Sequence, residues 1–203
     1  CTCRRQRQMC IRDRPKSIYN PTDVDVILKP DFNSMRVVPW YEDPTAQVIC
    51  DTVNLNGDEV INSSRNALKN ILKLYKKENL VPIVSPELEF YLVKPNPDSD
   101  YPLEVPVGQS GRQETGKQAL GIDAVNEFDN LFEDLYNHCE SQHIEIDTIN
   151  HESGSAQMEI NFQHGDPLEL ADQVFLFKRT LRQSALKHKL YATFMAKPME
   201  HQP

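Results

Sequence analysis

An α+β fold is predicted by three features of the chain. Short β-branched runs crowd the stretch between Asp23 and Asp51, helix-period and strand-period segments alternate from there to the end, and no internal repeat is present. This order reads as a small sheet, followed by part of a larger sheet with helices packed on one side.

Taken in order, Val24, Val26 and Leu28 alternate with Asp25, Ile27 and Lys29 until Pro30 ends the run. Met35-Arg36-Val37-Val38 precedes Pro39-Trp40, and Ala46-Gln47-Val48-Ile49-Cys50 follows a turn at Glu42-Asp43-Pro44. These three short strands are expected to share one small sheet, with the single tryptophan, Trp40, packed on it. Ser63 or Ser64 caps a helix to about Asn79 that buries Leu68, Ile71, Leu72 and Tyr75. Val81-Pro82-Ile83-Val84 reads as a buried strand feeding Pro86-Glu87-Leu88-Glu89-Phe90-Tyr91-Leu92. The Pro- and Gly-rich stretch from Lys94 to Gly121 is too long for a simple connection and is expected to be functional or mobile. One helix is predicted from Ile122 to about Gln142, then strands over Ile144–Ile149 and Ala156–Phe162. Asp166-Pro167-Leu168-Glu169 combines an N-cap, a first-turn proline and an early acid, the start of a helix with Leu170, Val174, Phe177 and Leu181 inward. Its basic residues Lys178, Arg179, Arg182, Lys187 and Lys189 read as a solvated face that favours the helix dipole. Tyr191-Ala192-Thr193-Phe194-Met195 is the last strand.

Composition excludes several classes. The 203 residues carry a formal charge of -8, with a mean hydropathy of -0.57. Residues 1–16 hold six Lys/Arg and one acid, which leaves the body at 16 basic against 29 acidic residues, a net of -13. An acidic body argues against nucleic acid as a partner. No apolar run approaches the roughly 18 residues a membrane span needs, so no membrane partner is expected. Five cysteines without framework spacing, and no signal peptide, point to a reducing cytoplasm. Cys1, Cys3 and Cys10 lack the second half of a zinc motif. Residues 1–16 have no hydrophobic period and read as a disordered leader, foreign in character to the rest. Gly111 to Lys117 has P-loop glycine and lysine spacing, but Gln118 supplies no hydroxyl and no strand feeds the loop, so that reading is rejected.

The chemistry lies in paired carboxylates. On a strand, Glu87 and Glu89 point to one face and Leu88 and Phe90 to the other. Such a pair must protonate, find a cation or bind a metal if it is buried; a solvated edge strand, which Pro86 permits, is the alternative. Glu152 and Glu159 flank Ser153-Gly154-Ser155 after His151, and Gln157, Glu159 and Asn161 share a polar strand face opposite Met158, Ile160 and Phe162. Four hard oxygen donors suit magnesium or manganese rather than zinc. No Ser-His-Asp order or Cys-His pairing competes, and a glycosidase pair would need two carboxylates and sugar-stacking aromatics.

Three segments carry a resemblance: Pro86-Glu87-Leu88-Glu89-Phe90, His151-Glu152-Ser153-Gly154-Ser155-Ala156-Gln157-Met158-Glu159-Ile160-Asn161, and Ala192-Thr193-Phe194-Met195-Ala196-Lys197-Pro198. In this order they resemble the glutamine synthetases. Asp23 to Asp51, with Lys29-Pro30-Asp31 and Pro39-Trp40, is similar to the end of that family's N-terminal β-grasp domain. The resemblance covers residues 17–203 and implies a β-grasp remnant over 17–55 and the first part of the catalytic domain over 56–203. It implies an ATP-dependent ligase that joins the γ-carboxylate of glutamate to ammonia or an amine through a γ-glutamyl phosphate. Two divalent ions, Mg2+ or Mn2+, belong to that chemistry. By motif position Glu89, Glu152 and Glu159 resemble ligands of one ion and Glu87 a ligand of the other, with Glu89 and Glu159 expected to carry catalysis. His164 falls where the family often keeps an aromatic beside the nucleotide. A homo-oligomer is implied for the full-length enzyme. The family's metal-binding histidine, phosphate-holding arginines and last metal-binding glutamate would follow Pro203, and its ammonium loop would precede Ser17. The chain is therefore expected to be a fragment without ligase activity alone. Ala196-Lys197-Pro198-Met199 in place of Pro-Lys-Pro, Gly111 to Gly116, and Ile122-Asp123-Ala124-Val125-Asn126-Glu127-Phe128 resemble the γ-glutamylpolyamine synthetases, which use amines such as putrescine. The alternative from another class is a silent paralogue that binds metal or glutamate as a sensor or structural subunit.

Overall fold

The computed structural model describes residues 25–98, 100–115 and 119–200. Val24, the leader at 1–16 and Gly116 to Gln118 lie outside the described residues. In chain order the elements are strands β1 (Ile27–Pro30), β2 (Arg36–Val37), β3 (Ala46–Gln47) and β4 (Cys50–Val53), helix α1 (Ser64–Lys77), strand β5 (Glu87–Val93), helices α2 (Ile122–Asn126) and α3 (Asp129–Ser141), strands β6 (Ile146–His151) and β7 (Gln157–Phe162), helix α4 (Pro167–Lys187) and strand β8 (Tyr191–Thr193). This is the α+β mixture the sequence predicts. Among the described residues no helix is long and apolar enough to cross a membrane. The chain divides into two units, Cys1–Phe32 with Ile49–Leu80 and Asn33–Val48 with Val81–Pro203.

In the first unit β1 and β4 pair antiparallel, from Ile27 opposite Val53 to Pro30 opposite Cys50. Ser63 caps α1 through the Asn66 N–H. Polar contacts fasten the helix. Arg65 reaches Asp31 at 2.7 Å and Asp51 at 2.6 Å, and Lys69 reaches Asp51 at 2.5 Å. Buried Asn66 donates to the carbonyls of Thr52 and Val60. The expected apolar stripe is only partly covered: Leu68 and Leu72 are half-buried, whereas Ile71 and Tyr75 are exposed.

The single small sheet expected before residue 51 is instead two separate two-stranded ladders, β1–β4 and β2–β3. A 3-10 turn at Phe32–Ser34 stops the first strand from running into β2. The predicted strand Ala46–Cys50 likewise splits, its first half pairing with β2 and its end opening β4.

In the second unit the alternation along β7 produces one dry and one wet face. The sheet order is β6-β7-β5-β8, all pairs antiparallel. Phe90, Leu92, Met158, Ile160 and Phe162 are at most 1% exposed. Phe162 meets Phe177 of α4 edge-to-face at 5.2 Å, so α4 packs on the dry face. The Asp166 carboxylate caps α4 by accepting from Leu168 N and Glu169 N. The buried stripe of α4 is wider than predicted and includes Gln173, Thr180 and Ser184. Each is paired, since burying an unpaired polar group is costly: Gln173 accepts from Glu145 N, Thr180 from Gln142 Nε2, and Ser184 bonds His138 Nδ1. Cys139, fully buried on α3, has its thiol pushed up to about 12 by desolvation.

Several expectations are corrected here. Val81 and Ile83 are exposed and form no strand, because Pro82 and Pro86 cannot donate to a ladder; Val84 makes only one bridge, to Gly165. The helix expected over 122–142 breaks at Glu127–Phe128. Gln109 takes the carbonyls of both Asn126 and Glu127, and Ser110 N takes the Glu127 carboxylate. The predicted strand at Ile144 begins instead at Ile146, with an irregularity in pairing before Thr148. The basic residues of α4 are not simply solvated: Lys178 and Arg182 lie over the Phe194 ring at 5.1 and 5.3 Å, and Arg179 lies over Trp40 at 5.1 Å. Trp40 also meets His138 of α3, so it packs against helices as well.

Burial alone would raise the Asp51 carboxyl, but hydrogen bonds from Lys69 and Arg65 outweigh it and hold the group below its ordinary value of 3.8. A depressed folded-state pKa stabilises above the unfolded value and is lost as pH falls through the folded one. Stability should therefore drop below about pH 4, and Asp51→Asn should flatten that part of a urea-denaturation pH series.

Candidate functional site

Strand register builds the site. Glu89 stands opposite Glu159, Glu87 opposite Asn161 and Tyr91 opposite Gln157, so two polar rows lie side by side on the wet face. Strand β6 adds Asn150 opposite Glu159 and Thr148 opposite Asn161. Like charges directly across a ladder repel. A neighbouring amide serves each one: Gln157 Nε2 donates to Glu89 Oε2 at 2.7 Å, and Asn161 Nδ2 donates to Glu159 Oε1 at 3.1 Å and to Thr148 Oγ1 at 3.0 Å. Strand β5 pairs with β7 from Glu87 to Tyr91 and with β8 only from Tyr91 to Val93. The edge-strand alternative therefore holds for the glutamate half alone, where Glu87 and Glu89 are exposed.

The turn between β6 and β7 carries Glu152. Glu152 N donates to Gln157 O at 2.8 Å, Gln157 N to Gly154 O at 3.0 Å, and Gly154 N to Gln157 Oε1 at 2.8 Å. Gly154 sits against Tyr91, where a Cβ would lie 2.6 Å from the phenol oxygen. Tyr91 is 3% exposed. Burial, then the charges of Glu89 and Glu152, push its phenol above the ordinary value of 10. Both carboxylates thus act on one hydroxyl. A cavity of about 380 Å³ opens here, lined by Glu89, Tyr91, Glu152, Gln157, Phe194 and Lys197 among others. A larger groove of about 600 Å³, around Tyr136, His143 and Glu145, contains none of the four glutamates.

Glu89 and Glu152 line one cavity, and Glu159 stands across the ladder from Glu89. Glu87 stands one step further out, and His164 is exposed just past β7 and outside the cavity lining. Among the described residues no three His, Cys, Asp or Glu side chains are already gathered as a cage for an ion. The donor chemistry, oxygen ligands on one face with amides orienting them, still fits magnesium or manganese. Sequence reasoning missed Tyr91 and the orienting part played by Gln157. The signal was present: Tyr91 continues the two-residue step of Glu87 and Glu89, and Gln157 that of Glu159.

Gly154→Ala should force Tyr91 and Gln157 to move and destabilise the protein by about 1–3 kcal/mol, read from urea denaturation. Gly165→Ala, where the nearest atom to a new Cβ is 3.7 Å away, should change little.

The family described as glutamine synthetase, catalytic domain, matches residues 62–203. A glutamine synthetase of Methanocaldococcus jannaschii is 33% identical over 177 residues, covering 86% of this chain and 37% of that protein. A gamma-glutamylputrescine synthetase of Escherichia coli is 33% identical, over 81% of this chain and 36% of that protein. A glutamate–isopropylamine ligase of a Pseudomonas species is 30% identical, over 86% and 37%. The chain thus spans less than two-fifths of the length of these curated relatives. The fold of apo GmaS without ligand superposes with a TM-score of 0.76, at 24% identity, over 91% of this chain and 42% of that one. With that family model matching residues 62–203, more than half of this chain, the chain belongs to the glutamine synthetase family.

Proposed function

We propose that the protein containing this chain is an ATP-dependent ligase that joins the γ-carboxylate of glutamate to an amine. Residues 17–55 are assigned to the end of a β-grasp-like domain and 56–203 to the catalytic domain. The observation that carries the reading is the placement of Glu89 opposite Glu159 on one sheet face, with Glu152 and Glu89 lining the same cavity. Glu89, Glu152 and Glu159 would hold one divalent ion and Glu87 a second, with His164 near the nucleotide. Such ions neutralise charge on a transferring phosphoryl group. In the reaction a glutamate γ-carboxylate oxygen bonds to the terminal phosphorus of ATP as ADP leaves. The amine nitrogen then bonds to the acyl carbon, phosphate leaves, and the nitrogen gives up a proton. This chain's own part is to orient the carboxylates through Gln157 and Asn161, and to present a protonated Tyr91 between Glu89 and Glu152.

Divalent-ion binding tests the site. Manganese titrated into the chain and followed by water-proton relaxation should bind, and Glu89→Ala should abolish the binding; identical titrations of the two proteins would remove the basis of the reading.

We assign the acceptor to the polyamine class, on the resemblance at Gly111 to Gly116, at Ile122 to Phe128 and at Ala196, and on the similarity to ligases of larger amines. In the intact enzyme kcat/KM for putrescine should at least equal that for ammonium, with glutamate and ATP saturating. An ammonium preference above about tenfold, roughly 1.4 kcal/mol in transition-state binding, would make ammonia the acceptor.

A further inference from the structure

The β6–β7 turn is held by more than its own hydrogen bonds. Ala156 is fully buried and adopts a left-handed backbone, with φ of 54°. Its carbonyl accepts from Leu92 N at 3.0 Å. Its N–H finds a side chain instead of a backbone partner: Glu114 Oε2, at 2.7 Å and from 42 residues upstream. The other oxygen of the same carboxylate lies 2.8 Å from Nε2 of His151, at the opposite end of the turn. His151 is 2% exposed, and among the described residues neither of its ring nitrogens makes an aligned hydrogen bond, while the Glu114 carboxylate lies beside Nε2. A few residues on, Leu120 N donates to the His151 carbonyl at 2.8 Å.

One carboxylate therefore spans the turn. The residues it touches, His151 and Ala156, immediately precede Glu152 and Gln157. Glu152 lines the candidate cavity, and Gln157 orients Glu89. We propose that Glu114 is a positioning residue, which sets the 152–157 turn and through it the disposition of Glu152 and Glu89 toward a divalent ion. The consequence for the ion rests on the metal-site reading above; the setting of the turn does not. The long loop from Lys94 to Gly121 thereby acquires a task that its composition concealed. Glu114 reaches no reacting atom itself, so its influence passes through the ligands it places.

Two measurements on the 203-residue chain test this, for Glu114→Ala, Glu114→Gln and, as a control, Glu104→Gln, which removes the Lys94 ion pair on the same loop. The first is amide hydrogen exchange across 151–157 without metal; the second is manganese affinity by water-proton relaxation. Glu114→Ala should speed exchange at Ala156 at least about tenfold, and weaken manganese about tenfold or more, as loss of a ligand's supporting partner does. Glu114→Gln keeps an acceptor for the Ala156 N–H and should fall between wild type and alanine in both, while Glu104→Gln should match wild type. Unchanged exchange at Ala156 in Glu114→Ala overturns the proposal, and so does faster exchange with unchanged manganese affinity. Should Glu114→Ala not fold, equality of Glu114→Gln with wild type in both measurements overturns it. Exchange that responds in a chain whose wild type binds no manganese defeats the metal-site reading and leaves the setting of the turn standing.

Discussion

The register between β5 and β7 is the constraint on which the rest of the second unit depends. A slip of β5 by one residue against β7 would turn Phe90 and Leu92 outward and Glu87 and Glu89 inward, away from the face that Glu159 shares. Burial decides the matter. Each large apolar side chain on the dry face contributes about 1.5–3 kcal/mol on leaving water, and five of them are essentially inaccessible. The repulsion between directly opposed Glu89 and Glu159 falls in the range of about 0.2–1 kcal/mol typical of cross-strand pairs. The core thus holds together two like charges that would separate if left to themselves. The dry face supplies the stability and the wet face the chemistry.

Side-chain amides complete what the register begins. Gln157 and Asn161 each give an N–H to a carboxylate, and Gln157 spends its oxygen on Gly154 N, so one buried side chain ties ladder to turn. Gly154 is required where it is because Tyr91 occupies the space a Cβ would need. Tyr91 and Val93 then close against Met199, Leu103 and Val105, which makes this end of the otherwise wet face dry. A similar economy operates among the helices. Gln142 and Thr180 pair in the buried seam between α3 and α4, and Gln142 also accepts from Gln47, which in turn receives Arg179. That arginine lies over Trp40. A charge placed on a helix surface thereby becomes part of the packing.

The stretch between Lys94 and Gly121 has little regular structure but is tied at several points. Lys94 and Glu104 meet through both backbone and side chains, Val107 bridges Gln113, and Gln109 with Ser110 engages the carbonyls and carboxylate that end α2. Glu114 then meets the β6–β7 turn. Loops of this length without secondary structure are usually functional, and these contacts give that generality a physical form: the loop interrupts a helix at one end and supports the candidate site at the other.

The sequence by itself determined most of what depends on near neighbours along the chain. The cap at Asp166, the two faces of β7, the phase of Glu87 with Glu89 and the glutamine synthetase resemblance were all legible, because caps, strand alternation and motifs are local patterns. What depends on distant partners was not. The periodicity from Ile122 to Gln142 is continuous, yet the helix breaks where Gln109 and Ser110, far upstream, take its polar groups. Val81 and Ile83 look like core and remain outside, a local exception in which Pro82 and Pro86 deny the run a ladder. The basic residues of α4 look solvated, and three of them rest on Phe194 and Trp40. Glu114 looks like one loop acid among several until the fold sets it beside Ala156 and His151. Pairing across tens of residues leaves no local trace, so only the tertiary structure decided which polar groups meet.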